Sequence, residues 1–497
     1  MAVTSREMPT LARARRRDRD VPLYEDLARR FAKAIEAGAL RPGDRLPSVR
    51  ELRAQERLST ATVMQALARL EWLGLVESRP RSGYFVRAPR TLPVPNPSRP
   101  AAQPLPITAA GLISSILSAN RDERLVPLGM AAPTPALLPV AALAQAASVA
   151  GRATVGAGLE YSFPPGTPEL RRAIARRALS WGYAASPDDV VVTSGASEAV
   201  HLALAATTKP GDAVVIESPA YYGTLQSLAA LGLHAVEVPC SSEVGLDLDA
   251  LERVLSDHQI AAVLAVPNFS NPLGSCMPEA AKRRLVEMLA VREIPLVEDD
   301  VYGDLGFDGA RPPVAKAFDK AGLVLSCSSF SKTLAPGWRV GFIVPGRWKE
   351  QVLLRKFGLN LATPPAPQRA VARFLESGAY DRHLRRMRAT LRTSMERMSA
   401  AVTTSFPAGT CVSRPAGGYV LWIELPPTVD ALELHARGLD AGVSVVPGHA
   451  FGASAQGYEH FVRLCYAEPW SERIQGAVET IGRIATRLAD SGGSPRA

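Results

Sequence analysis

Cysteine is scarce in this chain and scattered where it occurs. The 497 residues include only Cys240, Cys276, Cys327, Cys411 and Cys465, an odd set with no C-x-x-C spacing. That argues against a disulfide framework or a zinc site and fits a reducing cytoplasm. Long apolar runs are missing too: none approaches the ~18–20 residues of a membrane span, so no membrane partner is expected. The first residues are basic but lack the apolar core of a secretory signal, and none is expected. There is no P-loop, HExxH or GxGxxG motif and no internal repeat, and no metal site is expected.

Most of the chain also lacks an excess of either charge. Residues 91–497 hold 38 Lys and Arg against 37 Asp and Glu, whereas residues 1–90 hold 19 against 11. Nearly all of the net +9 therefore sits on the first fifth of the chain. A concentrated basic module on a neutral body points to a polyanion partner for the module alone. A length of 497 residues predicts more than one domain, at ~150 residues each.

The basic stretch is patterned. Leu23, Leu27, Phe31 and Ile35 recur every four residues, which makes one apolar helical stripe that ends at Gly38 and the Arg41-Pro42-Gly43-Asp44 turn. Ser48 with Glu51 forms a capping box for a second helix. Ser59 or Thr60 caps a third, with Val63, Leu67 and Leu70 inward and Thr60, Thr62, Gln65 and Arg69 outward. Leu75–Ser78 and Tyr84–Val86 then alternate as two short strands around Arg79-Pro80-Arg81-Ser82-Gly83. Three helices and a β-hairpin make a winged helix-turn-helix, whose third helix reaches bases and phosphates.

The segments GDRLPSVREL and STATVMQALARLEWLGLVESRPRSGYFV resemble the GntR-type winged-helix DNA-binding domain. The resemblance implies DNA contacts from Arg50, Thr60, Thr62 and the wing residues Arg81 and Gly83. Two positions depart from it. The family often has Arg where Thr60 stands, and a small turn residue, commonly Gly, where Arg57 stands.

Residues 88–108 contain seven prolines, which predicts a polyproline-type spacer of ~20 residues, reaching roughly 60 Å at ~3.1 Å per residue. Beyond residue 151, apolar runs alternate with helical stretches: Val190–Thr193, Ala213–Ser218, His234–Val238, Ala261–Val266, Pro295–Asp299, Leu323–Ser328 and Arg339–Val344. Such runs predict a mainly parallel sheet covered on both faces, with ligand groups in the loops at strand ends. Residues beyond about 375 predict a smaller α+β layer. The expected domains are 21–88 (winged helix), 89–108 (linker) and 109–490 (body, with a large part about 151–370 and a small part about 375–490).

The loops after those runs carry a consistent chemistry. Ser-Cys-Ser-Ser-Phe-Ser-Lys-Thr, residues 326–333, sets Lys332 among hydroxyls, with Arg339 seven residues on. A lysine that condenses with an aldehyde must be held rigidly and lose its proton, and hydroxyls with a guanidinium suit a phosphate dianion. Alone, Ser-x-Lys reads as a surface loop. Asp299, at a strand end, is placed to keep a pyridine nitrogen protonated. Tyr302 and Asn271 supply donors for a phenolic oxygen, and Tyr221 offers a ring to stack. Thr193-Ser194-Gly195-Ala196-Ser197 leads into a helix whose free N–H groups bind phosphate. Together these groups describe a pocket for pyridoxal 5'-phosphate (PLP).

The motifs TSGASEA, SNPLG, EDDVYGDL, SSFSKTLAPGWRVGF and VRLCYA carry a resemblance, over about residues 125–485, to the fold type I, class I/II aminotransferases, nearest the 2-aminoadipate branch. That implies Lys332 as the Schiff-base lysine, Asp299 as the pyridine partner, Asn271 and Tyr302 on the phenolic oxygen and Tyr221 as the stacking ring. It implies Ala196, Ser197, Ser329, Ser331 and Arg339 on the phosphate and Arg463 on a substrate carboxylate. Tyr161 would reach the neighbouring subunit's phosphate, hence a homodimer. A GntR-type winged helix joined to this domain resembles the MocR-type transcriptional regulators. The resemblance implies a cytoplasmic regulator that binds paired half-sites on DNA and answers to PLP and an amino acid or amine. A working aminotransferase that carries a DNA module is the alternative.

Overall fold

The computed structural model describes residues 22–79, 82–87, 92–100, 102–105, 110–119, 121–152, 161–309, 311–454 and 457–492. The chain forms two compact units that divide between Thr91 and Leu92.

The first unit is a winged helix-turn-helix: α1 (Leu23–Glu36), α2 (Val49–Glu56), α3 (Thr60–Trp72) and the antiparallel wing β1 (Val76–Arg79) and β2 (Gly83–Val86). The capping box forms as the spacing predicts, Glu51 N donating to Ser48 Oγ and Ser48 N to Glu51 Oε2. Ser59, rather than Thr60, caps α3 by accepting from Thr62 N. Leu27, Phe31, Leu52, Val63, Leu67 and Leu70 close the core with Val76 and Val86 of the wing. Leu23 departs from the predicted stripe: it is exposed, because α1 begins there and its first turn overhangs the core. Truncating Leu67 to Ala would cost about 2–5 kcal/mol, most of what a core this small supplies.

The second unit is built on an eight-stranded sheet. Its order is Val191–Thr193, Gly341–Val344, Val324–Ser329, Leu296–Asp299, Ala262–Ala265, Ala213–Ser218, His234–Ser241 and Gly245–Leu246. Five central strands run parallel, while Gly341–Val344 is antiparallel to both its neighbours. The apolar strands are continuous because helices cover both faces of the sheet. Val215 and Val263 pack into the core on one face, Leu264 and Val297 into the core on the other. A four-stranded antiparallel sheet, with Val420–Glu424 and Phe461–Cys465 at its centre, packs with the helices Ala379–Ser405 and Glu472–Gly492 as a smaller α+β layer.

The proline-rich spacer needs correction. Residues 92–105, where described, are hydrogen-bonded along the body. Val412 N donates to Pro93 O (2.9 Å), Asn96 N to Glu424 Oε2 (2.9 Å) and Ser98 Oγ to Ser218 O (2.5 Å). Leu105 and Ala235 exchange both backbone bonds. An extended proline-rich strand has no internal backbone bonds, so its free carbonyls and N–H groups pair with whatever edge they meet. Here that edge is the body.

Candidate cofactor site and nucleic-acid interface

The strand ends of the large sheet converge on a cavity of about 180 Å³. It is lined by Lys332, Asp299, Tyr302, Asn271, Tyr221, Ala196, Ser197, Ser329, Ser331 and Arg339, ten side chains drawn from six separate segments. Most of them lie at or just past a strand's end, where the sheet's backbone bonds stop and loops are free to aim their side chains, whereas Arg339 comes two residues before the antiparallel Gly341–Val344 strand.

One end of the cavity is built for an anion. Gly195, at φ +88°, turns the chain into the Ala196–Thr207 helix without a side-chain cap, which leaves first-turn N–H groups unclaimed. A Cβ on Gly195 would collide with Arg339 Nη2, so only glycine lets the guanidinium in. Arg339 donates to Ser331 Oγ (3.0 Å) and Ser194 O (3.1 Å). Beneath the turn, Glu198 accepts from Ser194 N (2.6 Å) and from the buried Lys356 Nζ (2.7 Å). Neither Lys356 nor Glu198 was legible as functional. Glu198 lies inside the TSGASEA motif, but nothing around Lys356 points to it.

At the other end stands Asp299, whose Oδ1 is buried with no partner among the described residues. Burial, reinforced by the charge of Asp300, pushes its carboxyl up to about 7. An ionised carboxylate there wants a cationic N–H. Between the two ends, Lys332 is half-buried and its Nζ donates to Ala131 O (2.6 Å). Burial pushes its ammonium down to about 8; Arg463 and Arg339 act in the same direction, and the Cys465 thiol and Asp299 oppose it. Tyr419 Oη donates to the Lys332 carbonyl and fixes the lysine's backbone. Tyr302 is buried and meets Tyr419 edge-on, with ring centroids 5.7 Å apart.

Arg463 is fully buried in the Phe461–Cys465 strand. Its Nη1 donates to Asn271 Oδ1 (3.0 Å) and its Nη2 to Gly129 O, while Nε has no partner among the described residues. Its guanidinium carbon lies 5.2 Å from the Phe451 ring centroid. Carbonyls of the 129–131 segment thus cover both Arg463 and Lys332, a role that no motif in the sequence signalled. Tyr161 does not line the cavity and is exposed on the surface, 5.6 Å from Phe163 between ring centroids.

These observations fit PLP. A phosphate cup at a helix N-terminus, a carboxylate whose Oδ1 has no partner among the described residues and a lysine of lowered basicity occupy one cavity in the order the molecule requires. The aminotransferase class I and II family matches residues 125–481, most of the chain.

The chain belongs to that family.

The bacterial regulatory proteins of the gntR family match residues 23–86. Both parts recur together in relatives. The uncharacterized HTH-type transcriptional regulator YjiR of Escherichia coli (strain K12) is 38% identical across 94% of this chain and 99% of its own length. YdcR of the same organism, described in the same terms, is 37% identical across 93% and 98%. Among solved structures, the α-aminoadipate aminotransferase LysN of Thermus thermophilus, complexed with N-(5'-phosphopyridoxyl)-L-leucine, superposes with a TM-score of 0.69 at 30% identity, covering 77% of this chain and 97% of that one. The body is therefore a fold type I aminotransferase domain, and the N-terminal unit is a GntR winged helix that binds DNA.

In that unit Arg50 and Thr60 are exposed at the starts of α2 and α3, and Thr62 shares a hydroxyl bond with Ser59 (2.8 Å). Gly83, at φ +101°, opens β2, and the Arg45 guanidinium lies against it, 3.4 Å from where a Cβ would stand. Arg45 lies inside the GDRLPSVREL segment, but nothing in the sequence marks it as a neighbour of the wing. Arg81 lies outside the described residues. Arg57, standing where the family commonly has Gly, takes the left-handed conformation at φ +55°. Among the described residues no helix is long and apolar enough to cross a membrane.

Proposed function

We propose that this protein is a DNA-binding transcriptional regulator whose aminotransferase domain holds PLP and reads an amino compound through it. The reading is carried by one observation: Asp299 Oδ1, buried with no partner among the described residues, shares a cavity with Lys332 on a chain that also bears a GntR module. Bound there, PLP supplies an aldehyde for an amine and an electron-accepting ring.

The chain's own residues would then act as follows. Lys332, its proton loosened by burial, presents the amine that holds the cofactor. Asp299 keeps a proton on the ring nitrogen, and Tyr221 stacks on the ring face. Tyr302 and the free amide N–H₂ of Asn271 donate to the phenolic oxygen; Asn271 Oδ1 is already taken by Arg463. Ala196, Ser197, Ser329, Ser331 and Arg339 hold the phosphate. Arg463 offers its Nε–Nη2 edge to a carboxylate once Gly129 O withdraws, which selects amino acids over plain amines.

Tyr161 and Phe163, exposed side by side, favour a homodimer in which Tyr161 completes the partner's phosphate site. Two winged helices would read paired half-sites through Arg50, Thr60, Thr62, Arg81 and Gly83. Free, scattered thiols favour the cytoplasm. Within the body, the proline-rich segment is bonded to a strand that leads to the pocket. Ser98 bonds to Ser218, the last residue of the strand that leads into Tyr221, and Ser218 Oγ in turn bonds to Tyr458 Oη (2.6 Å). The intact pocket also supports the alternative, a working aminotransferase. Borohydride reduction of PLP-loaded protein followed by peptide mapping, with a footprint on the DNA beside its own gene, separates the two. Label on a lysine other than Lys332 sinks the pocket assignment; amino-donor turnover without a footprint favours the enzyme.

A further inference from the structure

The body is nearly neutral, but its arginines are segregated. The helices Pro168–Ala178 and Pro365–Glu376 and the first ten residues of Ala379–Ser405 hold ten arginines against three acids. The remainder of residues 91–497 holds 28 Lys and Arg against 34 Asp and Glu. The three helices are neighbours around an open cleft of about 550 Å³, joined by Arg176–Glu376 (2.7 Å) and Arg177–Asp381 (3.1 Å). Those pairs use two of the three acids. Arg172, Arg373, Arg382, Arg385 and Arg386 remain exposed, and no ion pair among the described residues reaches them. Arg382, Arg385 and Arg386 share one helical stripe, opposite the buried Leu384, Met387 and Leu391.

Five uncompensated guanidiniums on neighbouring helices repel one another unless an extended anion covers them. Planar guanidiniums suit phosphate oxygens. The chain's GntR module already brings a duplex to this molecule. We infer that this arginine face is a second DNA-binding surface, which takes the phosphate backbone of duplex beyond the half-site held by the module. The inference rests on the DNA-binding reading of the module. A surface of arginines alone reads no bases, so it adds affinity and salt dependence but no sequence preference.

Fluorescence anisotropy with the full-length protein tests this on two mixed-sequence duplexes, one of about 16 base pairs, close to one module's footprint, and one of about 60. Titrations between about 50 and about 200 mM salt give the slope of log affinity on log salt, worth ~0.9 per phosphate contact. For Arg382→Ala/Arg385→Ala/Arg386→Ala the slope on the long duplex should shrink by about 2–3, with the short duplex unchanged. The matching triple Lys variant should restore it, which excludes a folding defect. Equal slopes for wild type and the Ala variant on the long duplex overturn the inference, as does a wild-type slope no steeper on the long duplex than on the short. An equal loss on both duplexes overturns it too. Wild-type protein that binds neither duplex sinks the DNA reading of the module instead; Arg50→Ala should weaken both.

Discussion

In the winged helix, Arg50 and Thr60 stand exposed on adjacent helices, ten residues apart in the chain. In the body, Lys332, Asp299 and Arg463 come from two strands and a loop far apart in the chain, and Arg463 is wholly buried. Water already satisfies a surface arginine, so the module is content without DNA and contact residues are exchangeable. A buried oxygen such as Asp299 Oδ1 has no such recourse. Leaving it unpaired costs about 1–3 kcal/mol, which a fold tolerates when a ligand supplies the missing donor. The module advertises its partner by charge, and the body advertises its own by what it leaves unsatisfied.

That contrast can be broken most forcefully at Lys332. Lys332→Ala should abolish the borohydride-fixed PLP adduct completely while residual phosphate contacts permit weak binding, and the module's DNA affinity without ligand should survive. Mass spectrometry and anisotropy read the two halves separately. Asp299→Asn should slow any transamination half-reaction by several powers of ten, since each ~1.4 kcal/mol of barrier is tenfold. Unchanged single-turnover rates with an accepted amino acid would mean another group faces the ring nitrogen.

Lys356→Met leaves the Glu198 carboxylate buried without its cation, which costs about 3–5 kcal/mol by denaturant titration. PLP affinity should fall with it, because Glu198 shapes the Ser194 turn of the phosphate cup. Titrating pH gives a smaller but signed effect. The Lys332 ammonium loses its proton at about 8. The neutral amine is therefore scarce below that pH, and adduct formation should accelerate about tenfold per pH unit up to about 8 and then level off. A rate that is flat from pH 6 to 8, followed by absorbance, contradicts the lowered value. Smallest of all, Arg57→Gly should stabilise the module by about 0.5–1 kcal/mol, because glycine adopts a left-handed backbone without the Cβ penalty. A lower melting temperature would mean that the Arg57 side chain contributes more than its backbone costs.

The two halves also differ in how far they could be read from residues. The module's capping box, apolar stripes and wing are local patterns, and each appears within a residue or two of its expected place. The pocket residues are legible because each sits in a short motif after an apolar strand. Lys356, Tyr419 and the 129–131 carbonyls are not, since their roles arise only when distant segments fold together. The proline-rich stretch misleads for a related reason. Composition specifies an extended backbone, but whether that backbone stays in water or lies on the body depends on partners such as Glu424 and Ala235. Tyr161 faces the reverse difficulty: the role proposed for it needs a second copy of the chain.

Whether the pocket governs the module is read by a DNA titration of the full-length protein. Affinity for the DNA beside its own gene is measured without PLP, with PLP, and with PLP plus a panel of amino acids. At least one amino acid should shift the affinity or the footprint when PLP is bound, and Lys332→Ala should remove the shift. Affinity and footprint unchanged across the whole panel, in protein with PLP bound at Lys332, would contradict control of the module by the pocket.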